Sequence, residues 1–495
     1  MALPLHRFYI EDMDILVSTL QSGALSLASY LAAHVLLCLV PAFFIAGALA
    51  ALVPQQAIIR FLGPDAPKYI SYPAAAGAGS LLAVCSCTIQ PLFAGIYSKG
   101  AGLGPAITFL FFAPAANILA LSYTGVALGA DFAIARIVLA LCFGIGIGLL
   151  MALIYRRDDA ARTASNAAFA DGGHDSVTIA RQTLVFLAVL VALLIAGTLK
   201  VDWLSAPVFS SVLPWDFATT AQALLNRWVP VNELKGEEGL SLQGLMLIGL
   251  LVAIGAAAWR GLGQVDNGLN RLTYLTLGLI AMTLVFAALG VRADSAGLVL
   301  TVTRRTLAVT LLCASLIPLA RRFELWDMQQ WLWETWRFIK MIFPLLIVGV
   351  FLVGVIRRFI EPEWIEFIAG SNTVLANLAG VVFGVFMYFP TLVEVPIAKM
   401  FLSLGMHPGP LIAYLMADPE LSLQSILITS AIIGKLKAWT YVGLVALFST
   451  VSGLTYGAWI DGTPLTTLAA TIGGFILALT LGVHLIERAQ RLVVH

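Results

Sequence analysis

Charge is what this 495-residue chain has least of: lysine, arginine, aspartate and glutamate together make up 11% of it, against about 25% in an average soluble domain. With 28 basic and 27 acidic residues the formal net charge is +1. There is no basic face for phosphates, so no nucleic-acid partner is expected. Cysteine is scarce too. Cys38, Cys85, Cys87, Cys142 and Cys313 are odd in number and lie outside any cysteine-rich loop, which argues against a disulfide framework. HExxH, Walker, GxSxG and paired CxxC patterns are all missing, so nothing points to an enzyme, a cofactor or a resident metal site. The first 21 residues contain no compact apolar region followed by a cleavage site, and no removed signal peptide is expected.

Apolar residues, by contrast, fill 60% of the chain. About 20 consecutive apolar residues of helix cross a bilayer. Suitable runs fall near 29–53, 73–97, 104–128, 131–155 and 182–199, then near 241–259, 270–290, 306–320, 341–356, 374–397, 409–433, 438–459 and 465–486. The composition therefore predicts an all-α polytopic membrane protein with about 12–13 transmembrane helices, embedded in a lipid bilayer. The least secure span is 306–320, which is short and follows Arg304 and Arg305. The polar stretch Arg156 to Arg181 reads as a flexible loop, and its four arginines assign it to the cytoplasm. Lys200 to Leu240 is acidic and reads as an external loop on the membrane surface. Trp326, Trp331, Trp333 and Trp336, with Arg337 and Lys340, read as an interfacial amphipathic segment.

An internal repeat is readable by eye. Pro91, Gly100, Gly104, Pro105, Pro114 and Gly129 match Pro396, Gly405, Gly409, Pro410, Pro419 and Gly434 at one separation of 305 residues. The chain divides on this reading into a first five-helix repeat (1–199), an inserted external loop with additional spans (200–335), and a second five-helix repeat (336–495). Each repeat is expected to hold a proline-broken helical hairpin, with Pro91, Gly104, Pro105, Pro114, Pro396, Gly409, Pro410 and Pro419 as hinges. Interrupted helices at matching positions of two repeats point to a transport site near the bilayer midplane. Whether the repeats run parallel or inverted depends on how many spans the insertion holds, and basic residues favour neither.

The polar residues in these segments are the candidate site. Cys85, Cys87 and Gln90 precede Pro91, and Asn117 follows Pro114. In the second half Tyr388, Thr391 and Glu394 precede Pro396, while Asp418 and Glu420 flank Pro419. Thiols are soft ligands, and intramembrane carboxylates are functional hypotheses by default. Cys85, Cys87, Gln90, Asn117, Tyr388 and Thr391 are assigned to substrate binding. Glu394, Asp418 and Glu420 are assigned to proton or ion coupling, with Lys399 or Lys435 as charge partners. Cys38, Cys142 and Cys313 read as packing residues, and His407 as a loop histidine.

The run CSCTIQPLFAGIYSKGAGLGPAITFLFFAPAAN, Cys85 to Asn117, and the run FPTLVEVPIAKMFLSLGMHPGPLIAYLMADPE, Phe389 to Glu420, resemble the two signatures of a predicted-permease family that includes the ArsP-type exporters of trivalent organoarsenicals. The resemblance implies an inner-membrane permease of bacterial type, with Cys85 and Cys87 as arsenic ligands and a small-molecule or metalloid substrate. It covers both repeats but not the insertion. The expected function is export of a soft, thiol-reactive solute. Transport of a sulfur compound or a metal ion, and a non-transporting assembly or sensor subunit, remain alternatives, and a homo-oligomer is left open.

Overall fold

The structure is a computed structural model that describes residues 17, 19–32, 35–81, 86–169, 180–198, 202–215, 217–228, 239–294, 297–357, 363–386 and 391–493. The first half contains α1 (Thr19–Ala32), α2 (Val40–Leu52), α3 (Gln55–Leu62), α4 (Lys68–Leu81), α5 (Ser86–Ser98), α6 (Leu103–Ala115), α7 (Ile118–Ala127), α8 (Ala130–Ile154), α9 (Arg156–Phe169) and α10 (Arg181–Thr198). The insertion contains α11 (Asp202–Ser205), α12 (Phe217–Trp228), α13 (Leu242–Gly261), α14 (Arg271–Ala288) and α15 (Arg304–Ala320). The second half contains α16 (Leu325–Arg357), α17 (Glu363–Ala369), α18 (Val374–Phe386), α19 (Thr391–Ser403), α20 (Pro408–Ala417), α21 (Leu423–Ile433), α22 (Lys435–Ile460) and α23 (Leu465–Val493). The protein is an all-α polytopic membrane protein. Among the described residues six helices are long and apolar enough to cross a membrane, or up to seven if the bent pair α1–α2 is one span.

Four of the apolar runs counted as single spans are each divided into two shorter helices: 73–97 into α4 and α5, 104–128 into α6 and α7, 374–397 into α18 and α19, and 409–433 into α20 and α21. The starts of α5, α6, α7 and α8 recur in α19, α20, α21 and α22, each 305 residues later. The turns share that interval. Gly100 and Gly405 adopt φ of 93° and 89°, and Gly129 and Gly434 adopt 113° and 90°, a left-handed region that favours glycine.

The two kinds of division differ. Tyr72 lies against Gly104 and Gly148, while Gly79 lies against Phe109, Phe112 and Ala113, so α4 and α6 run in the same direction. α5 passes through Gly100 into the start of α6 and therefore runs back, antiparallel to α4. α4 and α5 thus enter and leave on one face of the bundle. Hydropathy had made 73–97 a crossing helix; it is a re-entrant pair, because each of its members, 14 and 13 residues long, reaches only about two-thirds of the way across a ~30 Å hydrocarbon core. α18 and α19 repeat the arrangement: Asn372, just before α18, lies beside Gly409 and Gly457, Gly384 lies beside Asp418, and α19 leads through Gly405 into α20.

α6 and α7, by contrast, continue in one direction. Both pack antiparallel to α8, Gly148 against Gly104, Gly144 against Phe111 and Phe112, and Gly125 against Ala133. A Cβ on Gly148 would lie 2.7 Å from the Gly104 carbonyl, and one on Gly453 would lie 2.5 Å from the Gly409 carbonyl, so these glycines let backbones approach. Gly104, Pro105, Gly409 and Pro410 are accordingly first-turn and packing residues rather than hinges, proline being tolerated where a helix has no use for its N–H. Pro91 and Pro396 lie within α5 and α19, not at a break. Of the eight, Pro114 and Pro419 adjoin the interruptions between α6 and α7 and between α20 and α21.

The two halves point opposite ways. Phe132 at the start of α8 meets Tyr456 near the end of α22, with ring centroids 5.0 Å apart. Tyr155, just past the end of α8, bonds the Thr440 hydroxyl near the start of α22 at 2.7 Å. α1 likewise meets the far end of α16, Ser22 donating to the Gly354 carbonyl at 3.0 Å, whereas Trp331 near its start donates to the Phe44 carbonyl of α2 at 2.9 Å. The α4–α5 and α18–α19 pairs therefore enter from opposite faces.

Three further expectations change. The Arg156 to Arg181 stretch begins with a helix, α9, whose Asp159 accepts from the Leu103 amide at 2.8 Å and whose Arg162 donates to the Tyr97 carbonyl at 2.9 Å. The tryptophan run belongs to the 33-residue α16, where Trp331 and Trp336 are buried in the bundle and Trp326 is exposed. The insertion holds a small antiparallel sheet, β1 (Pro207–Leu213), β2 (Gly290–Asp294) and β3 (Gly297–Thr303), in the order β1-β3-β2. Leu213 pairs with Leu298 and Asp294 with Gly297. Arg304 stacks over Trp203 and Arg305 donates to Ser205, which holds both arginines beside the sheet at the start of α15.

Candidate functional site

The breaks between α6 and α7 and between α20 and α21 face the re-entrant pairs of the opposite halves, α7 packing on α19 and α21 on α5. Both breaks restart by the same local chemistry. The Asn117 side chain accepts from the Ala120 amide at 2.8 Å, and the Ser422 hydroxyl accepts from the Ser425 amide at 3.3 Å, each satisfying an orphan donor of the new helix. The Asn117 amide also donates to the Ala113 and Pro114 carbonyls, at 2.9 and 3.3 Å. These hydrogen bonds are made within its own break, where it caps α7.

A buried ion pair joins the halves. Arg136, on α8 and fully buried, reaches Glu394, on α19 and fully buried, with Nη2 3.0 Å from Oε1 and 3.4 Å from Oε2. Its Nε donates to the Ala115 carbonyl at the end of α6 at 2.8 Å, and its Nη1 donates to Thr124 on α7 at 3.2 Å. Neither Lys399 nor Lys435 is the partner of Glu394. Arg136 was missed in the sequence although it sits within the 131–155 apolar run, where an arginine needs a counter-charge. The signal was present; the partner was 258 residues away.

Two other polar links lie near the breaks. Thr429 of α21 donates to Gln90 Oε1 of α5 at 3.1 Å, with both residues buried. Tyr441 of α22 donates to Glu420 Oε2 at 2.5 Å. Asp418 is fully buried at the end of α20, with its backbone amide bonded to the Tyr414 carbonyl. His407 accepts from the Gly409 amide through Nδ1 at 3.1 Å and reaches Asp461 through Nε2 at 3.2 Å, so it caps α20. Cys85, Tyr388 and the side chains of Cys87 and Thr391 lie outside the described residues. Cys38, expected only to pack, lies in a single π-helical turn, Val35–Leu39, with Sγ 2.5 Å from Thr88 Oγ1 on α5. Among the described residues no three His, Cys, Asp or Glu side chains converge as a metal site.

An apolar groove of about 1060 Å³ lies elsewhere, in the insertion, walled by Leu277, Met282, Phe286, Cys313, Ile317 and their neighbours on α14 and α15. It holds no carboxylate, and α16 contributes Trp331 and Leu332 to its wall. The chemistry of the molecule is concentrated at the breaks.

The profile of a family described as a predicted permease matches residues 21–458, spanning both halves and the insertion. The UPF0718 protein MJ0584 of Methanocaldococcus jannaschii is 33% identical over 457 residues, covering 92% of this chain and 99% of that one. No solved structure matches the chain.

Proposed function

Since the chain belongs to this predicted-permease family and is a membrane transporter, we propose that it exports a soft, thiol-reactive solute such as a trivalent organoarsenical across the plasma membrane, which in a bacterium is the inner membrane. On this reading the chain is two copies of one unit in inverted orientation, joined by the 200–335 insertion. The solute binds between the two re-entrant pairs, close to Cys85, Cys87, Gln90, Tyr388 and Thr391. Glu394, Asp418 and Glu420 couple its passage to a proton or another cation.

The observation that carries the proposal is the meeting of re-entrant pairs from opposite faces at broken helices, with Arg136 and Glu394 bonded across the halves. Non-helical backbone at membrane depth persists where it is enclosed by protein or lines a cavity. Inverted units meeting at broken helices support alternating access by rocking one body against the other. Soft thiolate ligands select soft metal and metalloid centres, which is what supports an organoarsenical over a hard ion as the exported solute.

The test is accumulation of trivalent methylarsenic, with arsenite and zinc as controls, in cells that lack arsenic efflux and express either this chain or its Cys85→Ser, Cys87→Ser variant. Lower accumulation that depends on the two cysteines supports the assignment. Unchanged accumulation of all three would remove arsenic and zinc as substrates and move the search to sulfur compounds.

A further inference from the structure

The interval of 305 residues pairs more than helix ends. Arg136 and Ala115 of the first half correspond to Tyr441 and Glu420 of the second, and in each half the first of these side chains bonds the second residue, at 2.8 and 2.5 Å. Thr124 and Thr429 correspond as well, and both take part in polar links to the site. The same spatial position thus holds different charges in the two halves.

In the first half a guanidinium sits at the end of α6. The C-terminus of a helix carries the negative end of its dipole, with carbonyls that have no partner within the helix. Arg136 occupies that end and bonds the Ala115 carbonyl. In the second half the residue at that position is Tyr441, a neutral phenol, and Ala115 is replaced by the carboxylate of Glu420. A built-in cation has been exchanged for an acid at an end that already favours positive charge.

The surroundings of Glu420 do not supply the missing charge. It is 4% exposed and forms no ion pair among the described residues. Oε2 accepts from Tyr441, while Oε1 has no hydrogen-bond partner among the described residues. Gln424, in the first turn of α21 and fully buried, has neither its amide oxygen nor its amide nitrogen bonded among the described residues. Buried polar atoms are nearly always paired, and a buried carboxylate is costly unless a positive charge accompanies it. Asp418, at the end of α20 and fully buried, adds a second carboxylate to the same break.

We propose that the break between α20 and α21 binds a monovalent metal cation, sodium, at the position that the guanidinium of Arg136 fills in the first half. A proton on Glu420 would remove its charge and leave the Gln424 oxygen unanswered. A hard cation that takes oxygen ligands meets both. Half-helix C-terminal ends and unwound backbone are where transporters hold coupling ions. The inference rests on the transport reading above and names the coupling ion of that site.

The experiment follows the melting temperature of the purified, detergent-solubilised protein at fixed pH, with sodium chloride replaced stepwise by choline chloride and, separately, by potassium chloride. A ligand that binds the folded state raises its melting temperature in a saturable way. The expected result is a sodium-specific rise that disappears in Glu420→Gln and whose midpoint shifts by about tenfold in Gln424→Leu, the loss of one ligand being worth roughly that factor. Tyr441→Arg, which restores the first half's arrangement, is expected to melt high and to ignore sodium. A wild-type protein indifferent to sodium overturns the proposal. So does a sodium response retained in Glu420→Gln, or a melting temperature that follows pH alone at every salt composition. No exported solute enters the measurement, so a negative result here leaves the permease reading standing, and a failure to export organoarsenicals leaves the sodium response standing.

Discussion

Arg136 bonds three partners that belong to both halves of the protein, and through it the two halves are tied by a buried charge. Removing one member of a buried ion pair leaves the other charged and unpaired, at a cost of about 3–5 kcal/mol. Arg136→Met and Glu394→Leu are each expected to lower the melting temperature sharply. The double variant is expected to recover much of the loss, because it buries no lone charge. A double-mutant cycle read by thermal unfolding checks this, and additive effects of the two substitutions would contradict it. Glu394 was legible in the sequence as an acid inside an apolar run, but its partner was not. Local pattern carries no information about contacts between residues 258 positions apart. The place of Asn117 at a break was legible too, but its capping of α7 was not, because an amide that caps a helix looks like any other until the turn is seen. Asn117→Ala is accordingly expected to cost about 1 kcal/mol of stability as a lost cap, measured by the same melts, and to leave solute affinity unchanged.

The re-entrant pairs are the elements that hydropathy could not resolve. A run such as 73–97 is long enough to cross a membrane and equally able to turn back within it, since both arrangements keep apolar side chains out of water. What separates them is packing, the parallel course of α4 and α6 fixed by Tyr72 beside Gly104 and Gly79 beside Phe109. Single cysteines introduced at Tyr69 and Ser98, in a background without other cysteines, are therefore expected to react with an impermeant maleimide from the same side of the membrane. Labelling from opposite sides would restore 73–97 as a crossing helix. The longer continuous helices, α8, α13, α14 and α22, were legible because 18 to 26 apolar residues in helical geometry leave few alternatives. The sheet in the insertion was not, since its strands are only 5 to 7 residues long and β1 lies far in sequence from β2 and β3, with which it forms one sheet.

At the scale of the whole molecule the orientation of the halves was undetermined by charge. Counting 73–97 as a crossing shifts the parity of everything after it, so the course of α4 and α5 bears on an orientation that the arginine and lysine count did not decide. The turns at Lys99 and Ser403, equivalent within a residue of the 305-residue interval, are expected on opposite faces of the membrane. Cysteines placed there are expected to label from opposite sides, with Lys99 on the side of α9. Same-side labelling would make the halves parallel. The interval is carried in the sequence by glycine and proline, which mark turns and helix starts whatever the surrounding sequence does.

The span of sequence between Arg136 and Glu394 also sets a timetable for biosynthesis. Ribosomes add about 5–20 residues per second, so the 258 residues separating the pair take roughly 13–50 s to make. Throughout that interval α8 has left the ribosome while its counter-charge does not yet exist. The nascent first half must shelter the guanidinium with what it already owns, the Ala115 carbonyl and the Thr124 hydroxyl. These two bonds let the first half wait in the membrane until the second half arrives to complete it.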